Sequence, residues 1–169
     1  MQQMLGPAAV AAKSEIVDVL ARYCVHLDEY DIDALTDVFT PDCTMDQGPG
    51  RGGPIRGRED VLRGMKERQA LFRRTQHILG QSLIEMTGDV ATALTYVTAW
   101  HQRWDMTTGI ARLRYRDELV RTEDGWRIQY RRSEALGVDG FDEAQWNWVP
   151  RRTPEPADSV TTTNAERTS

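Results

Sequence analysis

The feature that most constrains the fold is a rhythm of turn signals in the second half of the chain. Thr87-Gly88-Asp89, Thr107-Thr108-Gly109 and Glu123-Asp124-Gly125 cut it into four long strand-like segments, about 75–86, 90–104, 110–122 and 126–135. Strands joined in succession by short turns form an antiparallel meander, and a meander this long needs a partner for one of its faces. The first half supplies that cover. Ile16, Leu20, Tyr23 and Leu27 recur at helical spacing over about 8–27, and Val61, Leu62, Met65 and Leu71 do so over 57–72. Between these helices Asp31 reads as the N-cap of a short helix carrying Ile32, Leu35, Val38 and Phe39, ended by Pro41. Cys43 to Asp46 reads as a short strand, and the run from Gly48 to Gly53, with Pro49 and Pro54, as a loop. Helices first and a meander afterwards predict an α+β domain whose helices pack on a curved antiparallel or mixed sheet. Residues 10–148 form that domain, 1–9 an N-terminal extension, and 149–169, rich in Pro, Thr, Ser and charge, an expected disordered tail.

At 169 residues the chain is long enough to bury a core and a small-molecule cavity inside it. A net charge of −5, with Arg73, Arg74, Arg131 and Arg132 forming no sustained basic stripe, gives no electrostatic reason to expect nucleic acid. Cys24 and Cys43 are the only cysteines and signal neither a disulfide framework nor a zinc site. With no basic-then-apolar leader and no apolar run of about 18 residues, no membrane association is expected and the location is expected to be cytoplasmic.

Chemistry concentrates in a few side chains. Asp28 closes the first helix, and His77 sits near the start of the first long strand. A carboxylate that holds and polarises an imidazole can remove a proton next to a carbonyl at neutral pH, without a metal or an organic cofactor. Five helical residues span about 500°, so Tyr23 and Asp28 cannot share one wall on a continuous helix, and the helix is expected to end near Leu27. A helix C-terminus and burial would both raise the Asp28 carboxyl. His77 shares a strand face with Thr75, Leu79, Gln81 and Leu83. His101 shares one with Ala91, Ala93, Thr95, Val97 and Ala99, small residues that leave room for a substrate. Tyr23 and Tyr115 are candidate hydrogen-bond donors, Tyr115 lying on a face with Leu113 and Asp117. Arg132 is a candidate for an anionic or carbonyl group, or the partner of Glu134 or Glu118. Tyr30 and Asp46 are further candidates, and His26 is expected outside the pocket. Trp100 is both a bulky packing residue, with Leu94 and Tyr96 opposite His101, and a candidate substrate contact. Trp146 and Trp148 follow the last strand as an expected lid or subunit-packing element.

The segments LDEYDIDALTDVFTPDC, TQH opening a strand and DGWRI in the last long strand, in this order, resemble the SnoaL-like branch of the NTF2-like superfamily. Within it the chain is most similar, over residues 10–136, to the group of scytalone dehydratase, bile-acid 7α-dehydratase and lindane dehydrochlorinase. The resemblance implies an NTF2-like cone enclosing a pocket, with Asp28 and His77 as a catalytic pair and Tyr23 and His101 assisting. It implies a cofactor-independent lyase of the dehydratase type acting on a small hydrophobic cyclic hydroxy-ketone or related compound. Isomerisation, cyclisation and loss of halide begin with the same proton abstraction. A non-catalytic ligand-binding module, or an assembly module like an oxygenase small subunit, is the reading from another class. An epoxide hydrolase or ketosteroid-isomerase-like enzyme is a further one, with Asp46 within a residue of the isomerase base position and Gln47 at it. The expected assembly is a homo-oligomer, a trimer by the resemblance.

Overall fold

The structure is a computed structural model that describes residues 6–151; most of the expected N-terminal extension and of the expected tail lies outside the described residues. Helix α1 (Pro7–Asp28) starts on a proline, whose missing N–H a helix can spare in its first turn, and buries Ile16, Leu20, Tyr23 and Leu27. The short helix expected next is only a 3₁₀ segment, Ile32–Asp37, and the Asp31 side chain makes no capping bond to it. Phe39 already opens strand β1 (Phe39–Asp46), so Pro41 lies inside a strand instead of ending a helix. That position tolerates proline because the pairing of β1 with its neighbour is interrupted between Phe39 and Thr44, leaving no ladder bond for Pro41 to supply. A short strand β2 (Pro54–Arg56) and helix α2 (Arg58–Gln69) follow.

The meander is β3 (Phe72–Thr87), β4 (Val90–Arg103), β5 (Thr108–Thr122) and β6 (Gly125–Asp139), all antiparallel neighbours. A final short strand, β7 (Asn147–Trp148), pairs parallel with β6. The seven-stranded mixed sheet runs β2-β1-β6-β5-β4-β3, with β1 parallel to β6. Its concave face holds the core beneath α1 and α2. No helix among the described residues is long and apolar enough to cross a membrane.

Two of the β-bulges in these ladders change which of the expected side chains reach that face. Pairing of β3 with β4 shifts between Leu79 and Ser82, so beyond the shift Ile84 and Met86 turn inward and Leu83 is 63% exposed. The expected single inward face through Gln81 and Leu83 therefore breaks after Leu79. Pairing of β5 with β6 shifts between Glu118 and Leu119, and the inward arginine becomes Arg131, 0% exposed, instead of Arg132. Arg131 is held in fork geometry by buried Asp117, Nε to Oδ1 at 2.7 Å and Nη2 to Oδ2 at 2.8 Å.

Candidate active site

α1 runs through Asp28 without ending at Leu27, and the two residues that cannot share a wall do not share one. Tyr23 lines the central cavity, while Asp28 stands behind His77. The carboxylate collects three donors from β3. His77 Nδ1 lies 2.7 Å from Oδ1, the His77 backbone N–H donates to Oδ2 at 2.8 Å, and the Thr75 hydroxyl donates to Oδ1 at 2.8 Å. Burial pushes the Asp28 carboxyl up, but the hydrogen bonds from His77 and Thr75 outweigh it and hold the group below the usual carboxylate value. The net shift is thus opposite to the one expected from burial and the helix terminus. An ionised carboxylate only accepts, so Nδ1 carries the proton it donates and Nε2 keeps a lone pair on the cavity side.

The cavity, of about 750 Å³, lies between the concave sheet, the last turn of α2 and the segment after β6. His77 opposes Ala99 across the β3–β4 ladder, and His101 lies two residues further along β4 on the same face. The two imidazoles meet edge to face with centroids 5.4 Å apart. His101 is buried against Phe72 and Phe141. Burial, with His77 and Arg51 nearby, pushes its pKa down to about 3, so its ring is neutral at neutral pH. Tyr23 and Tyr115 line the same cavity with their rings edge to face at 5.6 Å. Burial raises both phenols despite the Arg131 guanidinium, which lies 4.1 Å from one ring centroid and 4.3 Å from the other. Among the described residues no three His, Cys, Asp or Glu side chains gather to hold a metal ion.

Four candidates lie elsewhere. Arg132 points away from the cavity and donates to Asp46 at 2.6 Å, with Glu134 at 3.6 Å as its second partner. Asp46 also accepts from the Gly48 N–H and from Asn147, both at 3.0 Å, which makes it a clamp between β1 and the C-terminal segment. The Tyr30 side chain is half exposed and donates to the Lys66 carbonyl, because a backbone φ of 58° after α1 turns it outward. Trp100 alternates with His101 and so stands on the opposite sheet face. His26 is outside the cavity as expected.

The sequence reading missed the arginines of the far wall, while Trp146, expected in a lid or subunit-packing element, lines the cavity there. Trp146 is 4% exposed, and the Arg51 guanidinium sits 4.3 Å from its ring centroid. Gly50 allows this contact, since a Cβ there would lie 2.6 Å from Gln145 Cα. Arg68 joins Arg51 on the lining. A sequence signal existed for Arg68: it continues the spacing of Val61 and Met65, so it is an arginine on the buried face of α2. Asp117, inward with Leu113 and Tyr115, similarly required a buried cation, which is Arg131.

The cone of strands closed by helices over one cavity defines an NTF2-like protein. A model of the SnoaL-like domain matches residues 8–132, and the chain belongs to that family. An uncharacterized protein of Mycobacterium tuberculosis, Rv2910c, is 32% identical over 133 residues, covering 75% of this chain and 87% of the relative. Among solved structures, a scytalone dehydratase candidate from Novosphingobium aromaticivorans aligns with TM-score 0.79 at 20% identity, covering 85% of this chain and 97% of that one. A hexachlorocyclohexane dehydrochlorinase, LinA type 2, aligns with TM-score 0.71 at 14% identity, covering 83% and 95%. At those identities the two structures speak to the fold alone.

Proposed function

We propose that the protein is a cofactor-independent lyase of the dehydratase type, acting on a hydrophobic, ring-containing hydroxy-ketone or a related compound. The observation that carries this reading is the 2.7 Å hydrogen bond between His77 Nδ1 and ionised Asp28 at the wall of the cavity. In the proposed reaction Nε2 takes a proton from the carbon next to the substrate carbonyl, and the C–H electron pair moves onto the carbonyl oxygen as an enolate. Tyr23, Tyr115 and neutral His101 are the donors available to that oxygen. The enolate then expels the hydroxyl one carbon further on. The proton held by His77 leaves with it as water, and the unsaturated ketone remains. A neutral His101 supports this sequence, because a second cation 5.4 Å from His77 would oppose the imidazolium that forms. We also propose a homo-oligomer, with a trimer favoured by the family resemblance, built on the outer face of β3 and β4, where Ile78, Leu83 and Tyr96 are exposed.

Hydrogen–deuterium exchange tests the base without knowing the natural substrate. Cyclic ketones such as tetralone and decalone are incubated in D₂O with the protein and followed by NMR. Exchange at the carbon next to the carbonyl should be faster with wild type than with His77→Ala, and equal rates with the two proteins would end the assignment.

A further inference from the structure

The cavity wall facing away from Asp28 carries more positive charge than any hydrogen bond or ion pair of the fold accounts for. Arg51, Arg68 and Arg103 line it, and among the described residues Asp142 is the only carboxylate on the lining. Asp142 is occupied as a cap, accepting the Ala144 N–H at 2.9 Å. Arg103 is tied to the Gly140 carbonyl and lies over Phe141. Arg51 and Arg68 are different. Among the described residues neither has a carboxylate within salt-bridge distance, and Arg68 Nη2 is buried with no hydrogen-bond partner at all. Burial and the neighbouring Arg68 push the Arg51 guanidinium down to about 10, so each disfavours the other's charge. Two half-buried guanidiniums on one cavity wall without an anion are an unfinished ion cluster.

We infer that Arg51 and Arg68 together bind a carboxylate of the substrate, so that the ligand is a ring-containing keto acid and not a ketone without an acid group. This rests on the reading of the cavity as the substrate site and narrows its substrate class. The guanidinium fork matches the planar carboxylate, and the Trp146 ring beneath Arg51 keeps that fork oriented. A phosphate fits less well. The glycine-rich loop beside Arg51 is no open phosphate cradle, because four of its N–H groups are engaged internally. Gly48 donates to Asp46, Arg51 and Gly53 to the Gly48 carbonyl, and Gly52 to the Pro49 carbonyl. Apolar walls from Leu27, Phe72, Leu113 and Phe141 leave a ring system as the body of the ligand.

Calorimetric titration of the full chain with naphthoate, naphthamide and naphthyl phosphate tests this. Naphthoate should bind at least roughly tenfold more tightly than its neutral amide, the gain expected of a charge-assisted fork. Arg51→Gln and Arg68→Gln should each remove most of that ratio, with melting curves confirming the fold, and Arg51→Lys should keep part of it. His77→Gln should leave the ratio unchanged, which separates the arginines from the imidazole. Equal binding of acid and amide by wild type, a ratio that survives both glutamine variants, or tighter binding of the phosphate than of the carboxylate would overturn the inference. The exchange experiment is independent. A clear acid preference without His77-dependent exchange would sink the lyase reading alone, and exchange without acid preference would sink this one alone.

Discussion

Replacing Asp28 by Asn tests the Asp28–His77 pair most sharply, because the hydrogen-bond geometry dictates how the variant must fail. Asparagine offers one acceptor and one donor where the carboxylate offers two acceptors. The His77 backbone N–H, 2.8 Å from Oδ2, can only donate, so the amide oxygen is drawn to it. The amide nitrogen then faces His77 Nδ1 and the Thr75 hydroxyl, at the positions now 2.7 and 2.8 Å from Oδ1. The hydroxyl can rotate to accept. The imidazole can accept only by moving its proton to Nε2, and that blocks the nitrogen proposed as the base. Keeping the productive tautomer instead sets an amide N–H against the backbone N–H, which costs about 2–3 kcal/mol and corresponds to roughly a 10²-fold loss of rate. Losing the anion that steadies the imidazolium adds a further factor of about 10 or more, for a total of roughly 10³–10⁴. Asp28→Asn combined with His77→Ala should then be little worse than His77→Ala alone. The tautomer is readable without any substrate, from the ring ¹⁵N shifts of a protein with only three histidines. Wild type should show His77 protonated at Nδ1 and the variant at Nε2. A variant that keeps the Nδ1 proton, or that catalyses α-proton exchange within tenfold of wild type, would refute the reasoning.

Other consequences are as direct. His101 titrates near 6.5 when unfolded and at about 3 when folded, so in that window the unfolded chain binds the extra proton. Stability should therefore fall on acidification below about pH 6.5, by up to about 1.4 kcal/mol per pH unit, and depressed Asp28 adds the same sign at lower pH. Denaturant melts of His101→Phe should flatten the upper part of this profile, and an unchanged slope would count against a buried neutral imidazole. Arg131→Met strands Asp117, whose side chain is 0% exposed, and should lower unfolding free energy by about 3–5 kcal/mol, while adding Asp117→Leu should restore much of it. Truncation after Gly140 removes Phe141 and Trp146 from the cavity and should weaken naphthoate binding, whereas truncation after Arg151 keeps every lining side chain; equal binding by both would reject a structural role for the C-terminal wall. Light scattering should return a mass above one chain, and a monomer at micromolar concentration would dismiss the proposed interface.

The α+β order and the meander were legible because each rests on a local signal, helical spacing or turn residues, whereas the pairing of Asp28 with His77, 49 residues apart, came from the family resemblance. What was not legible depended on strand register. Alternation from His77 predicts Leu83 inward, and alternation from Ile128 predicts Arg132 inward, yet a single extra residue in each strand moves Ile84 and Arg131 to the core. A bulge is set by the partner strand and by the curvature a cone demands, so nothing in one strand's own pattern announces it. The short segment after α1 failed for another reason. Six residues without a side-chain cap cannot sustain an α-helix, and the β-branched Val38 and the aromatic Phe39 suit the strand that follows.

The charges around the cavity have a direction that the individual contacts do not express. Arg131, forked to Asp117 and lying against the Tyr23 and Tyr115 rings, is a neutral pair as seen from the cavity. His101 is neutral because it is buried. The charges that remain are anionic Asp28 behind His77 and, on the far wall, the guanidiniums of Arg51, Arg68 and Arg103, which outnumber the Asp142 carboxylate there. On the proposed chemistry a proton moves toward Asp28 while negative charge develops on a substrate lying toward the arginines. Both movements lower the electrostatic energy, and both are arranged before the substrate arrives, which is the condition for fixed charges to accelerate a reaction without reorganisation. Neutralising either end, by Asp28→Asn or by the paired arginine substitutions, should therefore slow turnover of an acidic substrate through different parameters. The first lowers kcat at unchanged KM, and the second raises KM as well because the guanidiniums hold the ground state too. An arginine variant that lost only kcat would show that its charge acts on the transition state alone.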